Sequence, residues 1–222
     1  MPKTFDVTQA YVSLVAEYSE PLFKLFTDPT TLYRELLQRL GPFGLRLADM
    51  KVELGDKLAD YHLACVFLNY SATLRFRAER IEIWFDLTRA TQEQALAISI
   101  KAFESVVATF EPSFRSFPID VALHGNVADT TAKDFLLQLV KGVPNLGPSL
   151  GAACVFYYGP EEARLSSHMT IDLSGAVKDA LFFRYSAIWD GSKISPGDLL
   201  AALPAHVDHC LTAFGLSRKS EG

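Results

Sequence analysis

Apolar and polar residues alternate along much of this chain, and where the alternation stops the apolar residues recur every third or fourth position. The first period marks strands and the second helices. The opening TFDVTQAYVSLVAEY is rich in β-branched and aromatic residues and predicts a strand. A short apolar piece, PLFKLF, leads to Asp28 and Pro29, which introduce a helix. Leu32, Leu36 and Leu40 form its stripe with Leu37 beside them, and Gly41-Pro42 ends it. Residues 45–88 predict a meander of strands. Leu45 and Leu47 alternate on odd positions, then Met50, Val52 and Leu54 on even ones, which predicts a bulge or bend near Asp49. HLACVFLNY, LRFR and RIEIWFDL continue the meander. In the last, Ile81, Ile83, Phe85 and Leu87 face one way, and Arg80, Glu82, Trp84 and Asp86 the other.

Thr91 with Gln94 three residues on is a capping box. Leu96, Ile100, Phe103, Val107 and Phe110 follow as a stripe predicted to be buried, and Pro112 closes the first half. The second half repeats this order. IDVALHG (119–125) predicts a strand and residues 131–141 a helix. AACVFYYG, RLSSHMTIDL and ALFFRYSAIW predict three strands, with turns at GPEE and near Gly175. In the second of these, Leu165, Met169, Ile171 and Leu173 point inward, and His168, Thr170 and Asp172 outward. Ser195, Pro196 and Asp198 start the final helix, whose core face is Leu200, Leu203, Val207, Leu211 and Phe214. Pro204 predicts a kink in it, and LSRKSEG a frayed tail.

The two halves also echo each other in letters. DPTTLYRELLQRL (28–40) and ADTTAKDFLLQLV (128–140) share Thr, Thr, Leu, Leu and Gln at a spacing of 100. At a spacing of 104, Leu96, Val107 and Phe110 fall on Leu200, Leu211 and Phe214, and Arg80, Phe85 and Asp86 fall on Arg184, Trp189 and Asp190. ACVF at 64–67 and 153–156 needs a spacing of 89, so one strand is gained or lost between the copies. Agreement among independent elements argues for a duplicated unit, residues 1–112 and 113–222, packed as one globular body. Each unit is a strand, a helix, three or four antiparallel strands and a helix. Single apolar stripes place the helices on one face of a curved sheet, an α+β fold. This element order resembles that of TATA-binding-protein-like and helix-grip folds. The resemblance lies in the order of elements and in no shared motif.

Composition narrows the function. Of 222 residues, 49% are hydrophobic and 21% charged, an ordinary globular balance. The apolar run LACVFL at 63–68 is too short for a bilayer, so no membrane span is expected. MPKTFDVTQA has no apolar core of a signal peptide. Cys65, Cys154 and Cys210 lie in apolar segments and are odd in number, which points to free thiols in a reducing compartment, the cytoplasm. A formal charge of −5 argues against nucleic acid as a partner; Glu79 and Glu82 dilute the basic spot at Arg75, Arg77 and Arg80.

Two motifs carry catalytic or metal-binding chemistry on paper. Gly147-Pro148-Ser149-Leu150-Gly151 matches the nucleophile elbow of α/β-hydrolases, and Asp172 or Asp190 and His206 or His209 follow in hydrolase order. The pattern here leaves a helix and enters a strand, the reverse of the elbow, so a plain connection explains it better. His206, His209 and Cys210 form H-x-x-H-C on the last helix, without a further convergent ligand that zinc requires. No metal and no cofactor are expected, and the balance leans away from an enzyme.

What remains is the outward side of the sheet. Arg75, Arg77, Arg80, Glu82, Trp84, Asp86, His168, Asp172 and Arg184 mix charge with an aromatic, which suits contact with another protein, or self-association, better than a small apolar ligand. A solvated face is the plainer alternative. HLACVFLNY and AACVFYY are apolar on both faces and require cover on both: a central place in the sheet, an interface or a lipophilic pocket. The readings are, in order, a non-enzymatic interaction protein, a carrier of a small hydrophobic ligand lined by Phe156, Tyr158, Phe183, Tyr185 and Trp189, and a serine hydrolase using Ser149.

Overall fold

The opening alternation becomes β1, Lys3–Tyr18, which pairs antiparallel with β6, Phe114–Val127, from Phe5 opposite Val127 to Tyr18 opposite Phe114. The computed structural model describes residues 2–54, 56–57, 60–140 and 152–219. On the far side of β1 stand β5 (Arg80–Asp86), β4 (Ala72–Phe76), β3 (His62–Phe67) and β2 (Met50–Glu53) in turn. On the far side of β6 stand β9 (Leu181–Asp190), β8 (Arg164–Leu173) and β7 (Cys154–Tyr158). β10, Leu216–Arg218, adds in parallel to the start of β1 and completes a ten-stranded sheet that is otherwise antiparallel. The helices are α1 (Lys24–Thr27), α2 (Pro29–Leu40), α3 (Gln92–Phe110), α4 (Ala132–Leu139) and α5 (Pro196–Ala213). They lie on one side of the sheet, and the fold is α+β as the element order predicts.

The strand order reads alike outward from the central pair, and the joints between elements recur too. β5 and β9 end at Asp86 and Asp190, 104 residues apart. Each carboxylate accepts a hydrogen bond from the backbone two residues on, Thr88 N–H at 3.0 Å and Ser192 N–H at 3.0 Å. Each then meets a cation three residues on, Arg89 or Lys193. Thr91 and Ser195 follow as N-caps, accepting from the N–H of Gln94 and Asp198 and so satisfying one otherwise unpaired donor per helix.

Leu32, Leu36 and Leu40 of α2 are wholly buried, as their stripe predicts, and each contributes roughly 1.5–3 kcal/mol. α3 differs from expectation. Its buried face is Ala95, Ile98, Ser99, Ala102, Phe103, Ser105 and Val106, while Val107 is 43% exposed and Leu96, Ile100 and Phe110 are half-buried. Four of those residues are small, so α3 seats closely, and of the expected stripe only Phe103 lies on the buried side.

Four further expectations are corrected. Leu47–Asp49 forms a 3₁₀ turn closed by an Arg46–Asp49 pair, so the phase change near Asp49 is a turn before β2 and not a bulge within a strand. The tail folds back at Gly215 (φ 72°) into β10. AACVFYY is an edge strand: Tyr157 is 81% exposed, and the strand is not sandwiched. Leu165 is exposed because the pairing skips it between Arg164 and Ser166, a bulge that breaks the alternation.

β1 has its own irregularity at Thr8, between the Val7 and Gln9 pairings, and Gly125 of β6 lies against it. A Cβ on Gly125 would stand 2.4 Å from the Asp6 carbonyl oxygen and 2.9 Å from the Val7 Cα, both backbone atoms that cannot swing aside. Gly125→Ala is therefore expected to destabilise the fold by about 1–3 kcal/mol. Gly175→Ala, with nothing within 4 Å of the added carbon, should stay within about 0.5 kcal/mol in the same chemical denaturation.

Candidate functional site

The side of the sheet opposite the helices has one concentration of charge and one row of rings. Arg75 of β4, Arg80 of β5 and Arg77 of the turn between them all reach the Glu82 carboxylate. Arg80 Nε lies 2.7 Å from it, Arg77 Nε 3.1 Å and Arg75 Nη1 3.9 Å. Burial pushes the Glu82 carboxyl up, but the Arg80 hydrogen bond and the charges of Arg77, Arg80 and Arg75 outweigh it and hold its pKa below the ordinary 4.5. Next along β5, Trp84 is 38% exposed and stacks on Tyr11 of β1 at 6.0 Å. Tyr11 meets His124 of β6 edge-on at 6.2 Å, and His124 meets Phe182 of β9 at 5.0 Å. Four adjacent strands thus carry one aromatic row across the middle of the open face. His124 Nδ1 lies 2.8 Å from Ser174 Oγ, and burial lowers the pKa of the ring.

On β6 and β9, Arg184 forks onto Asp120, which also accepts from Ser186. Glu17 of β1 accepts from Ser116 Oγ at 2.6 Å and from Arg115 at 2.9 Å. The Ser116 bond lowers the Glu17 pKa, burial opposes it, and Arg115 adds to the lowering.

Of the residues expected on the outward face, Arg75, Arg77, Arg80, Glu82 and Trp84 stand together. His168, Asp172 and Arg184 share the face but lie beyond β1 and β6, on the other wing. The Asp86 and Asp172 carboxylates are taken by backbone N–H groups of Thr88 and Leu173, so both serve local turns and strand ends. Tyr11, His124 and Phe182 were not foreseen. Each sits at an outward position of its strand, so the period was visible; that the three are neighbours depends on strand pairing.

The helix side holds a cleft of ≈ 1180 Å³ between α3 and α5. Val7, Ala10, Val12 and Val121 form its floor, Leu96 and Leu203 its walls, and Asp208, Arg218 and Lys219 stand at its mouth. Arg218 is held by Asp208 at 2.6 Å, and Lys219 faces Asp6 at 3.5 Å, so these cations are matched. Among the described residues β1 has no strand partner on this side between Phe5, where β10 ends, and Tyr11, where β5 begins. Pro204 in α5 supplies no N–H for the Leu200 carbonyl, and both line the cleft.

None of the five residues expected to line a ligand cavity lies on this cleft. Phe183, Tyr185 and Trp189 are buried under α5, and Phe156 and Tyr158 stand on the edge strand. The reason is register: the inward side of β9 packs on α5, while the cleft opens over β1 and β6. His206 is half-buried against Trp189, ring centroids 5.0 Å apart, and His209 is exposed. No group of three metal-ligating side chains gathers among the described residues. Ser149 lies outside the described residues.

No protein-family model matches the chain, and no curated protein does. Among solved structures, Methanococcus jannaschii TBP is 11% identical over 95% of this chain and 98% of its own, with a TM-score of 0.31. Clostridium acetobutylicum aspartate kinase is 11% identical over 88% of this chain and 33% of its own, with a TM-score of 0.23. Likenesses this distant carry no argument about chemistry. No helix among the described residues is long and apolar enough to cross a membrane.

The glutamates of the open face link stability to pH. Glu82 and Glu17 have folded pKa values below 4.5, so the folded chain binds fewer protons than the unfolded chain in the window just under that value. Their stabilisation is complete above pH 4.5 and is lost as pH falls through the folded pKa values. Glu82→Gln should lower the melting temperature at pH 7 and flatten its fall between pH 5 and 3, followed by circular dichroism.

Proposed function

We propose that this chain is a binding protein whose open sheet face recognises a partner protein. The observation that carries the reading is the aromatic row Trp84–Tyr11–His124–Phe182, with three guanidinium groups sharing one carboxylate at its end. Arg75 reaches Glu82 only at 3.9 Å and is half exposed, so its donors are open to a partner, and Trp, Tyr and Arg are the residues that dominate interface energetics. An acidic segment of the partner fits this wing. The half-exposed guanidinium of Arg75 belongs to a chain of net charge −5, which argues for a short acidic peptide over a phosphate backbone.

Three free cysteines, Cys65, Cys154 and Cys210, support a reducing compartment such as the cytoplasm. The matched caps and turns at a spacing of 104 support an internal duplication as the origin of the two halves. Arg75 is the least tightly held of the three arginines, so reversing it removes charge with little cost to the fold. In native mass spectrometry of the protein from its own source, a second polypeptide at fixed stoichiometry is expected, and Arg75→Glu should release it with the melting temperature unchanged. A partner held equally well by Arg75→Glu would show that this wing is not the interface.

The α3–α5 cleft favours a second reading, carriage of a small amphipathic molecule. Its volume, apolar floor and few polar groups suit such a ligand, and its paired charges favour a neutral one. The same spectra should then contain an added mass of a few hundred daltons. Ala10→Phe, which fills the floor, should remove that mass; retention of the mass in Ala10→Phe places the ligand elsewhere.

A further inference from the structure

Where α5 lies over β9 there is a second, chemically distinct setting. His206, Cys210 and Phe214 follow one another at successive turns along β9: His206 packs on Trp189, and Phe214 lies 6.3 Å from Phe183 and 5.2 Å from Phe156. Beneath them, Ser167 and Ala187 are cross-strand partners with small side chains, set between Tyr185 and Trp189. α5 covers β9 but leaves the helix-facing side of the edge strand β7 half open, with Phe156 40% and Tyr158 42% exposed.

The bulge at Leu165 decides what this setting contains. By strict alternation Arg164 would share the open face with Ser166 and His168. The skipped residue instead pairs Arg164 with Trp189 and turns the guanidinium under α5. Its neighbours feel it there. Burial raises the pKa of Tyr185 and Cys210 and Arg164 opposes the rise, while at His206 burial and then the Arg164 charge lower the pKa of the ring.

Arg164 Nε and Trp189 Nε1 are each buried with no hydrogen-bond partner among the described residues, and the buried Tyr185 hydroxyl has only the Arg164 guanidinium beside it. The Arg and Trp nitrogens only donate, and the Tyr hydroxyl can donate. Buried polar groups are ordinarily partnered, so two unpartnered N–H donors on paired residues, with a Tyr hydroxyl beside the guanidinium, call for an acceptor-only group. Arg164 keeps one ion pair, with the largely exposed Glu161, which a ligand can displace. A single guanidinium balances one negative charge and not two.

We infer that this setting binds the carboxylate of an apolar acid. Arg164, Tyr185 and Trp189 hold the carboxylate, and the chain lies along Phe156, Tyr158 and Phe214. The site is separate from the α3–α5 cleft, with which it shares no lining residue.

The protein has two tryptophans, so Trp84→Phe leaves Trp189 as the sole reporter. Octanoate titrated at constant ionic strength should change Trp189 emission saturably. Tyr185→Phe, which removes one hydroxyl, and Arg164→Leu should each weaken binding about tenfold or more. 1-Octanol, with the same chain and no carboxylate, should not saturate the signal, and Ala10→Phe in the cleft should leave the octanoate curve unchanged. Octanoate should also raise the melting temperature of the unsubstituted protein, and in Tyr185→Phe the same rise should need about tenfold more octanoate. Equal binding by Tyr185→Phe, or octanol binding as well as octanoate, overturns the assignment.

Discussion

The pairing of β1 with β6 is the constraint on which the rest of the molecule depends. It is the longest ladder in the sheet, running from Phe5–Val127 to Tyr18–Phe114, and it joins strands more than 90 residues apart in the chain. Each wing attaches to one member of the pair: β5 to β1, β9 to β6. Inward residues of the ladder such as Leu14 and Ile119 are buried beneath the helices. The outward residues Tyr11 and His124 become neighbours only because the ladder sets their register. The centre of the open face and the floor of the cleft are therefore two sides of one hydrogen-bonded pair.

The two faces solve different problems of solvation. On the open face, carboxylates are distributed so that Glu82, Glu17 and Asp120 each hold at least one arginine, and side-chain pairs neutralise charge across strands. At Glu82 the arginine held least closely is Arg75, at 3.9 Å, and it lies on the same face as the exposed Trp84. On the helix side the surplus is apolar. α3 presents small residues inward, which brings it close to the sheet, and Leu96 is left facing the space between α3 and α5.

Departures from regular pairing coincide with both helix-side sites. The irregularity at Thr8 lies on the stretch of β1 that borders the cleft, opposite the close approach at Gly125. The bulge at Leu165 turns Arg164 from the solvent face to the side of Trp189. One extra residue in a strand exchanges the faces of everything before it, so a single insertion can place a charge in an apolar layer. The cost of such a placement is high unless something accepts the hydrogen bonds of the buried groups.

Much of this architecture was legible in the chain. The period of two in RIEIWFDL sends Ile81, Ile83 and Phe85 inward and Arg80, Glu82 and Trp84 outward, as found, because alternation is a local property of extended backbone. Thr91 and Ser195 announced their helices because a cap acts within three residues. The strand order, the aromatic row and the cleft were not legible, since they join residues through pairing across long loops, and no local signal specifies which outward ring meets which. The same limit explains Leu165, whose inward assignment followed from parity and failed at one skipped pairing. Short-range sterics and solvent exclusion act residue by residue, so the chain alone sorts most residues onto one side of their strand or helix, with α3 and Leu165 the departures. Tertiary structure alone decided which of those faces meet, because long-range register settles only when the whole sheet closes on one set of helices.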